Sequence, residues 1–387
     1  MPNEYSQLCP VLFGEGAADQ LPDKIRAFGG GPVLFITDPG IRSTGLIDRM
    51  ADAVRAAGME ADIFDEVEAD APDTVIDLCS EKVLQRKKYR VLVGVGGGSS
   101  MDTAKASTVR LSGYEGLTKD YVLAVPLKME TTVPVILVPT TTGTGSEVTR
   151  VAVISRPEYN VKWSVHLKNT TLAVVDPQLT VTLPRKETAN TGLDALAHAT
   201  EALTSKGADI HSDLFAVAAI EKIAENLYRS WSDPADNEAR TNMAIAANWA
   251  GLAFDCPMCH LPHAIGDAFG CHFHTEHGHS CSLGLAEGLR LVAPVKPEKM
   301  AVIAKAMGIP LTGTETGAEL GDLVADWIYA LMRKMEFVSL HSMGISREEV
   351  IACAGDVAVS HLVAYCPVTI TEEVAAEVLD RLYDSYH

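Results

Sequence analysis

Residues 89–107 read YRVLVGVGGGSSMDTAKAS, and the fold turns on how that stretch is read. An apolar, β-branched run closed by glycines and continued by helix formers is a buried strand passing through a tight turn into a helix. The turn Gly96-Gly97-Gly98-Ser99 leaves backbone amides free to approach a phosphate. The N-terminus of the following helix, which carries Asp102 and Lys105, favours an anion. The spacing is not G-x-G-x-x-G, because counting from Gly94 the last position is Ser99. By itself, then, the turn fits either a nucleotide or a plain tight connection.

Outward from it, the same pattern recurs. Residues 8–31 give a short strand, a glycine turn and a helix stopped by three glycines, and PVLFITD (32–38) gives a strand ending at Asp38. A helix over Ile47–Ala57, a strand in ADIFDEV (61–67) and a helix over Thr74–Lys87 follow. Downstream, VPVILVPTTTGTGSE (133–147) is again a strand and a Gly/Thr loop, with hydroxyls at Thr140, Thr141 and Thr144. Strands alternating with helices imply a parallel sheet, whose ligands bind beyond the carboxyl ends of the strands. Asp38 stands at such an end, where a carboxylate can accept ribose hydroxyls; a turn-forming Asp before Pro39-Gly40 is the equally simple alternative. Past Pro184 the β-branched runs give way to Ala/Leu-rich helical periodicity. The chain is therefore read as an α/β, Rossmann-like parallel-sheet domain over 1–184 and an all-α helical domain over 185–387.

The second half holds CHLPHAIGDAFGCHFHTEHGHSC (259–281), with six of the twelve histidines: His260, His263, His272, His274, His277 and His279. Imidazole is the commonest side-chain metal ligand. Earlier, in GLDALAHATEAL, Asp194 and His198 are four residues apart on one helix face. A carboxylate and an imidazole from one helix, with two imidazoles from a later segment, suit a divalent first-row metal with a position left open for substrate. Cys256-Pro257-Met258-Cys259-His260 spells C-x-x-C-H, a haem-attachment pattern that belongs to exported proteins. A structural zinc on Cys256 and Cys259 is a further alternative, and Cys271 and Cys281 read as small apolar packing residues.

With 387 residues, 47% hydrophobic and 21% charged, the composition is that of a globular chain long enough for two domains. A net charge of −19 argues against a nucleic-acid or anionic-membrane partner. No signal peptide or apolar span is visible, and eight cysteines read as reduced thiols, so the cytoplasm is expected.

FITDPG, GVGGGSSMDTAK, VPTTTGTGSEVT, DPQLTVTLP, TGLDALAHATEA and HAIGDAFG…HTEHG together resemble the iron-containing (group III) alcohol dehydrogenases, along essentially the whole chain. The resemblance implies a dehydroquinate synthase-like fold, with metal and nicotinamide in the cleft between a dinucleotide domain and a helical domain, and a homodimer or higher homo-oligomer is expected. It implies metal ligands Asp194, His198, His263 and His277, the last two fourteen residues apart. It implies cofactor contacts at Asp38, Gly97, Gly98, Ser99, Thr140, Thr141, Thr144, Lys162 and Leu179, to which Asp102 on the helix after the glycine turn is added as a further expected contact, and substrate contacts at Thr149, Val153 and Phe254. The activity implied is NAD-dependent interconversion of a small alcohol and its aldehyde at Fe2+, with Zn2+ able to use the same ligands. A non-redox metalloenzyme that keeps NAD bound is the competing class.

The chain departs from the family pattern at several positions. Asp267 stands where a histidine is usual, Ala71 where an asparagine is common, and no Asn-Pro-Arg appears near Cys366-Pro367. Arg150 and Cys366 are therefore read as parts of the substrate pocket, with Arg150 favouring an anionic aldehyde. The proton shuttle is expected at His272 or His274. Asp267 is expected to orient a ligand histidine.

Overall fold

The computed structural model describes residues 9–84, 88–114, 116–122, 132–159, 161–167 and 170–387. These form two compact units, 9–141 with 145–180, and 142–144 with 181–387.

The first unit is built on a parallel six-stranded sheet. Its strands are β1 (Val11–Phe13), β2 (Val33–Ile36), β3 (Ala61–Phe64), β4 (Val91–Gly96), β5 (Val135–Pro139) and β8 (Leu172–Val175), in the order β1-β8-β5-β4-β2-β3. Alternation along each strand feeds two cores. Val33, Phe35, Val91, Val93, Ile136 and Val138 pack with Ile25, Ile47 and Val54 on one face. Leu34, Ile36, Leu92, Val135 and Leu137 pack with Val75, Met101 and Ala104 on the other. Both faces are thus buried, which is why these strands read as continuous apolar runs. From β2 the chain runs outward to β3 and then returns to β4 on the opposite side of β2. The reversal lies between the carboxyl ends of β2 and β4, the place where such sheets bind ligands. Ile36 pairs with Gly94, so Asp38 and Gly96 leave the sheet at the same level.

An antiparallel hairpin, β6 (Val151–Arg156) with β7 (Val161–His166), completes the unit. The sequence reading assigns no strand there. The helix expected over Ile47–Ala57 runs Leu46–Ala56, and that expected over Thr74–Lys87 runs Asp73–Leu84, its last three expected residues lying outside the described ones.

The second unit is helical. The Arg185–Thr204 helix is buried over most of its length, and Ala189, Ala195, Ala197, Ala199 and Ala202 keep it slim enough to be surrounded. It packs against the Ile210–Ser232, Asn237–Phe254 and His277–Val292 helices. The Leu261–Phe273 helix starts with Pro262 in its first turn and ends at His274, whose φ of 53° is the left-handed cap conformation. The chain then re-enters a helix at His277, and Gly278 allows that turn to lie against the Arg185–Thr204 helix. A Cβ there would stand 2.7 Å from Asn190 O and 3.2 Å from Asp194 Cβ. Among the described residues no helix is long and apolar enough to cross a membrane.

Candidate metal centre and nucleotide turn

Three helical segments bring the expected ligands together. Asp194 and His198 come from one helix, His263 from the first turn of the next-but-two, and His277 from the start of the one after. His263 Nε2 lies 3.0 Å from His198 Nε2 and 3.6 Å from Asp194 Oδ1. The His263 and His277 rings stand 5.4 Å apart. Two imidazole nitrogens bound to one metal at about 2.1 Å and a right angle lie about 3.0 Å apart, so the pair is spaced as co-ligands are. Asp194, His198 and His263 are at most 5% exposed, and a carboxylate with three imidazoles is a donor set for a divalent first-row ion. The residues fit the metal.

The surroundings fix ring orientation. Glu201, fully buried, accepts a hydrogen bond from His263 Nδ1 at 2.5 Å and from the His260 amide at 2.6 Å. Holding the proton on Nδ1 leaves Nε2 with its lone pair toward the cluster. Phe254 stacks on His198 with ring centroids 4.3 Å apart. Asp267 Oδ1 comes within 3.9 Å of His277 Nδ1. Burial, then the neighbouring His263 and His277, hold His198 well below the usual histidine range. Burial opposes charge on His263 too, yet Cys259, Cys281 and Glu201 against its ring push it well above that range. Glu201 and Cys281 are the groups that sequence reasoning passes over. Cys281, fully buried, places its Sγ 3.6 Å from His277 Nε2, and donor atoms of Asp194, His263, His277 and Cys281 all lie within 4.8 Å of one another. Cys259 lies with His198 and His263 in a second cluster.

His272 and His274 are not brought in. His272 Nε2 pairs with Asp356 Oδ2 at 2.6 Å on an exposed surface, and His274 is the exposed helix cap. The physical reason is helical phase. His272 is nine residues after His263, half a turn out of register, whereas Asp267 at four residues shares its face.

In the sheet unit Asp38 caps the short Pro39–Ser43 helix by accepting from the Ile41 amide at 2.9 Å, and it also accepts from Ser100 Oγ at 3.1 Å. Asp38 is thus a turn former, and its carboxylate also stands beside the glycine-rich turn. Gly96 has φ 148°, and a Cβ would meet Ser100 Oγ at 2.6 Å and Asp38 Oδ2 at 3.1 Å. Only glycine passes there. The Thr140 amide donates to Gly96 O at 3.0 Å. Thr141 Oγ1 is buried without a hydrogen-bond partner among the described residues and faces Gly97. A hydroxyl left open beside a glycine turn suits a phosphate or ribose oxygen. Ser99 Oγ accepts from the Asp70 amide at 2.9 Å, and Asp70 pairs with Lys162 at 2.8 Å, so Ser99 and Lys162 are linked. Leu179 packs half-buried on the sheet core, and Thr144 is half-exposed.

Asp102 differs from its expected cofactor role. Its carboxylate is taken up by Ser146 Oγ at 2.6 Å, the Val153 amide at 2.9 Å and Lys105 Nζ at 2.9 Å. Lys105, itself buried, also donates to the carbonyls of Ser146 and Val151 and to Thr149 Oγ1. This polar knot ties the glycine-rich helix to the base of the β6–β7 hairpin, and it absorbs Thr149 and the Val153 amide. Arg150 is half-exposed, its carbonyl accepting from the Leu167 amide at 2.6 Å. Cys366 is fully buried in the helical core, and burial pushes its thiol up to about 11.

Residues 10–177 match the family model for iron-containing alcohol dehydrogenase, and residues 188–383 that for the Fe-containing alcohol dehydrogenase family, C-terminal. The chain is 37% identical to choline dehydrogenase of Bacillus subtilis (strain 168), over 87% of this chain and 84% of that protein. A solved structure of 1,3-propanediol oxidoreductase matches with a TM-score of 0.91 at 29% identity, covering 98% of this chain and 100% of the other. That of sulfoacetaldehyde reductase from Bifidobacterium kashiwanohense, in complex with NAD+, matches at 0.89 with 27% identity and 100% of both chains covered.

Proposed function

The chain belongs to the iron-containing alcohol dehydrogenase family and is an oxidoreductase, and from that premise we propose an NAD-dependent enzyme that interconverts a small alcohol and its aldehyde at a divalent metal held by Asp194, His198, His263 and His277. The observation that carries this is the buried approach of His198 Nε2 and His263 Nε2 at 3.0 Å beside Asp194. When bound, the metal supplies Lewis acidity toward the substrate oxygen, and the nicotinamide accepts or gives the hydride.

The chain's own residues set the stage for both. Glu201 fixes the His263 tautomer, Phe254 holds the His198 ring, and Asp267 stands beside His277 as an orienting carboxylate. In the sheet unit Asp38 accepts the ribose hydroxyls and disfavours a 2′-phosphate, while Gly97, Gly98 and Ser99 open the turn to the pyrophosphate, with Thr140 and Thr141 beside it. We assign no proton relay to His272 or His274. Among substrates, half-exposed Arg150 favours an anionic aldehyde, a reading helped by the likeness to a sulfoacetaldehyde reductase.

His263→Ala is expected to lose bound metal by elemental analysis and NADH turnover together; full metal and full rate in that variant would sink the ligand assignment. A metal-loaded enzyme that neither forms nor consumes NADH with any alcohol or aldehyde would favour non-redox chemistry instead. For Arg150, specificity constants for propanal and a sulfonated aldehyde are compared in wild type and Arg150→Ala. An unchanged ratio removes Arg150 from the pocket.

A further inference from the structure

Cys281 lies four residues after His277 on the same helix face, fully buried. Its sulfur is 3.6 Å from His277 Nε2, and one donor atom each from Asp194, His263, His277 and Cys281 all fall within 4.8 Å of one another. With a metal–sulfur bond of about 2.3 Å and a metal–nitrogen bond of about 2.1 Å, two donors at the right or 120° angles of a five-ligand centre stand about 3.1–3.8 Å apart. The sulfur occupies room left by Gly266, where a Cβ would come within 2.4 Å of Sγ. Gly266 is three residues beyond His263, so the sulfur rests on the very turn that carries that ligand.

We propose that Cys281 is a fifth ligand, making the centre a mixed nitrogen, oxygen and sulfur site that selects thiophilic divalent ions. The inference rests on the metal reading above and concerns which atoms complete the donor set. Cys259 shares its cluster with only His198 and His263 of the four ligands, and it serves as the control. As the metal–sulfur bond forms, the thiol proton passes to solvent, and the added negative charge softens the site toward zinc or cobalt over harder ions.

Cobalt(II) tests this without reference to activity. The purified full chain is stripped with chelator, loaded with cobalt, and examined by elemental analysis and electronic absorption. Wild type is expected to hold one cobalt with an intense near-ultraviolet sulfur-to-cobalt charge-transfer band. Cys281→Ser is expected to lose the band and at least about tenfold in zinc affinity, as the loss of a supporting contact alone already costs. Cys259→Ser keeps the band. A full equivalent of cobalt in wild type without the band makes Cys281 a packing residue and overturns the proposal alone. Wild type that takes up no cobalt overturns the metal reading, and the proposal with it.

Discussion

In the sheet unit the polar groups of the candidate site are tied to backbone. Asp38 is held by the Ile41 amide and Ser100, Ser99 by the Asp70 amide, and Thr140 by Gly96. In the helical unit the groups meet side chain to side chain, His198 on His263, His263 on Glu201 and Cys281 on His277. The first arrangement presents a shape, made by glycines and strand ends. The second concentrates titratable donors away from water, where burial opposes charge on both His198 and His263 and their neighbours push the two in opposite directions. Desolvated donors converging on one point gain most from a cation among them, whereas a glycine turn binds through amides that need no charge of their own.

The sharpest challenge to that contrast is Asp102, a buried side-chain knot inside the unit whose glycine-rich turn works mainly through backbone. Asp102→Ala leaves Lys105 buried against carbonyls and the Thr149 hydroxyl without the carboxylate, and is expected to cost about 3–5 kcal/mol of stability in denaturant titration. A loss under about 1 kcal/mol, the scale of an exposed pair, would mean that the knot does not hold the hairpin.

Asp38 comes next. At ~5 Å and an effective dielectric of about 20, its carboxylate repels one phosphate charge by ~3 kcal/mol, reduced by exposure and salt. Wild type is therefore expected to prefer NAD over NADP by roughly one to three decades in kcat/KM, at about 1.4 kcal/mol per decade, and Asp38→Gly to narrow the ratio. Equal use of both cofactors by wild type would contradict the placement of the ribose.

Glu201→Gln keeps the shape beside His263 but not the charge. Metal affinity is expected to fall about 10- to 100-fold, the usual cost of losing a carboxylate behind a ligand histidine. Affinity unchanged in a competitive chelator titration would make Glu201 a filler of the core. The smallest effect belongs to His272→Ala. An exposed pair with Asp356 contributes about 0–1 kcal/mol, and turnover is expected to match wild type across pH. A tenfold loss at neutral pH that added imidazole restores would return the proton relay to that histidine.

Much of this was readable in the residues. Strands β2, β4 and β5 show as unbroken apolar runs because both faces of the sheet are covered. Asp194 and His198 show because four residues is one helical turn. The same rule reaches Glu201, three residues further on the same face, and Cys281, four after His277, but Glu on a helix ordinarily faces solvent and a lone Cys ordinarily packs. The β6–β7 hairpin was not legible, since VAVISR and VKWSVH carry polar residues among the apolar ones and no Asn-Gly or Asp-Gly turn joins them. Asp102 reads as a nucleotide contact because its partners, Ser146 and the Val153 amide, lie 44 and 51 residues away. His272 and His274 mislead because closeness in sequence to His277 says nothing about helical phase.

The central claim is that one metal sits where the three helical segments converge. Anomalous diffraction from crystals of the metal-loaded enzyme, collected at the edge of the metal found by elemental analysis, tests it most directly. The account predicts a single peak within about 2.3 Å of the imidazole nitrogens of His198, His263 and His277 and of the Asp194 carboxylate, the range of such bonds. A peak at Cys256 and Cys259 away from Asp194, or metal-dependent turnover with no peak among these four residues, would contradict it.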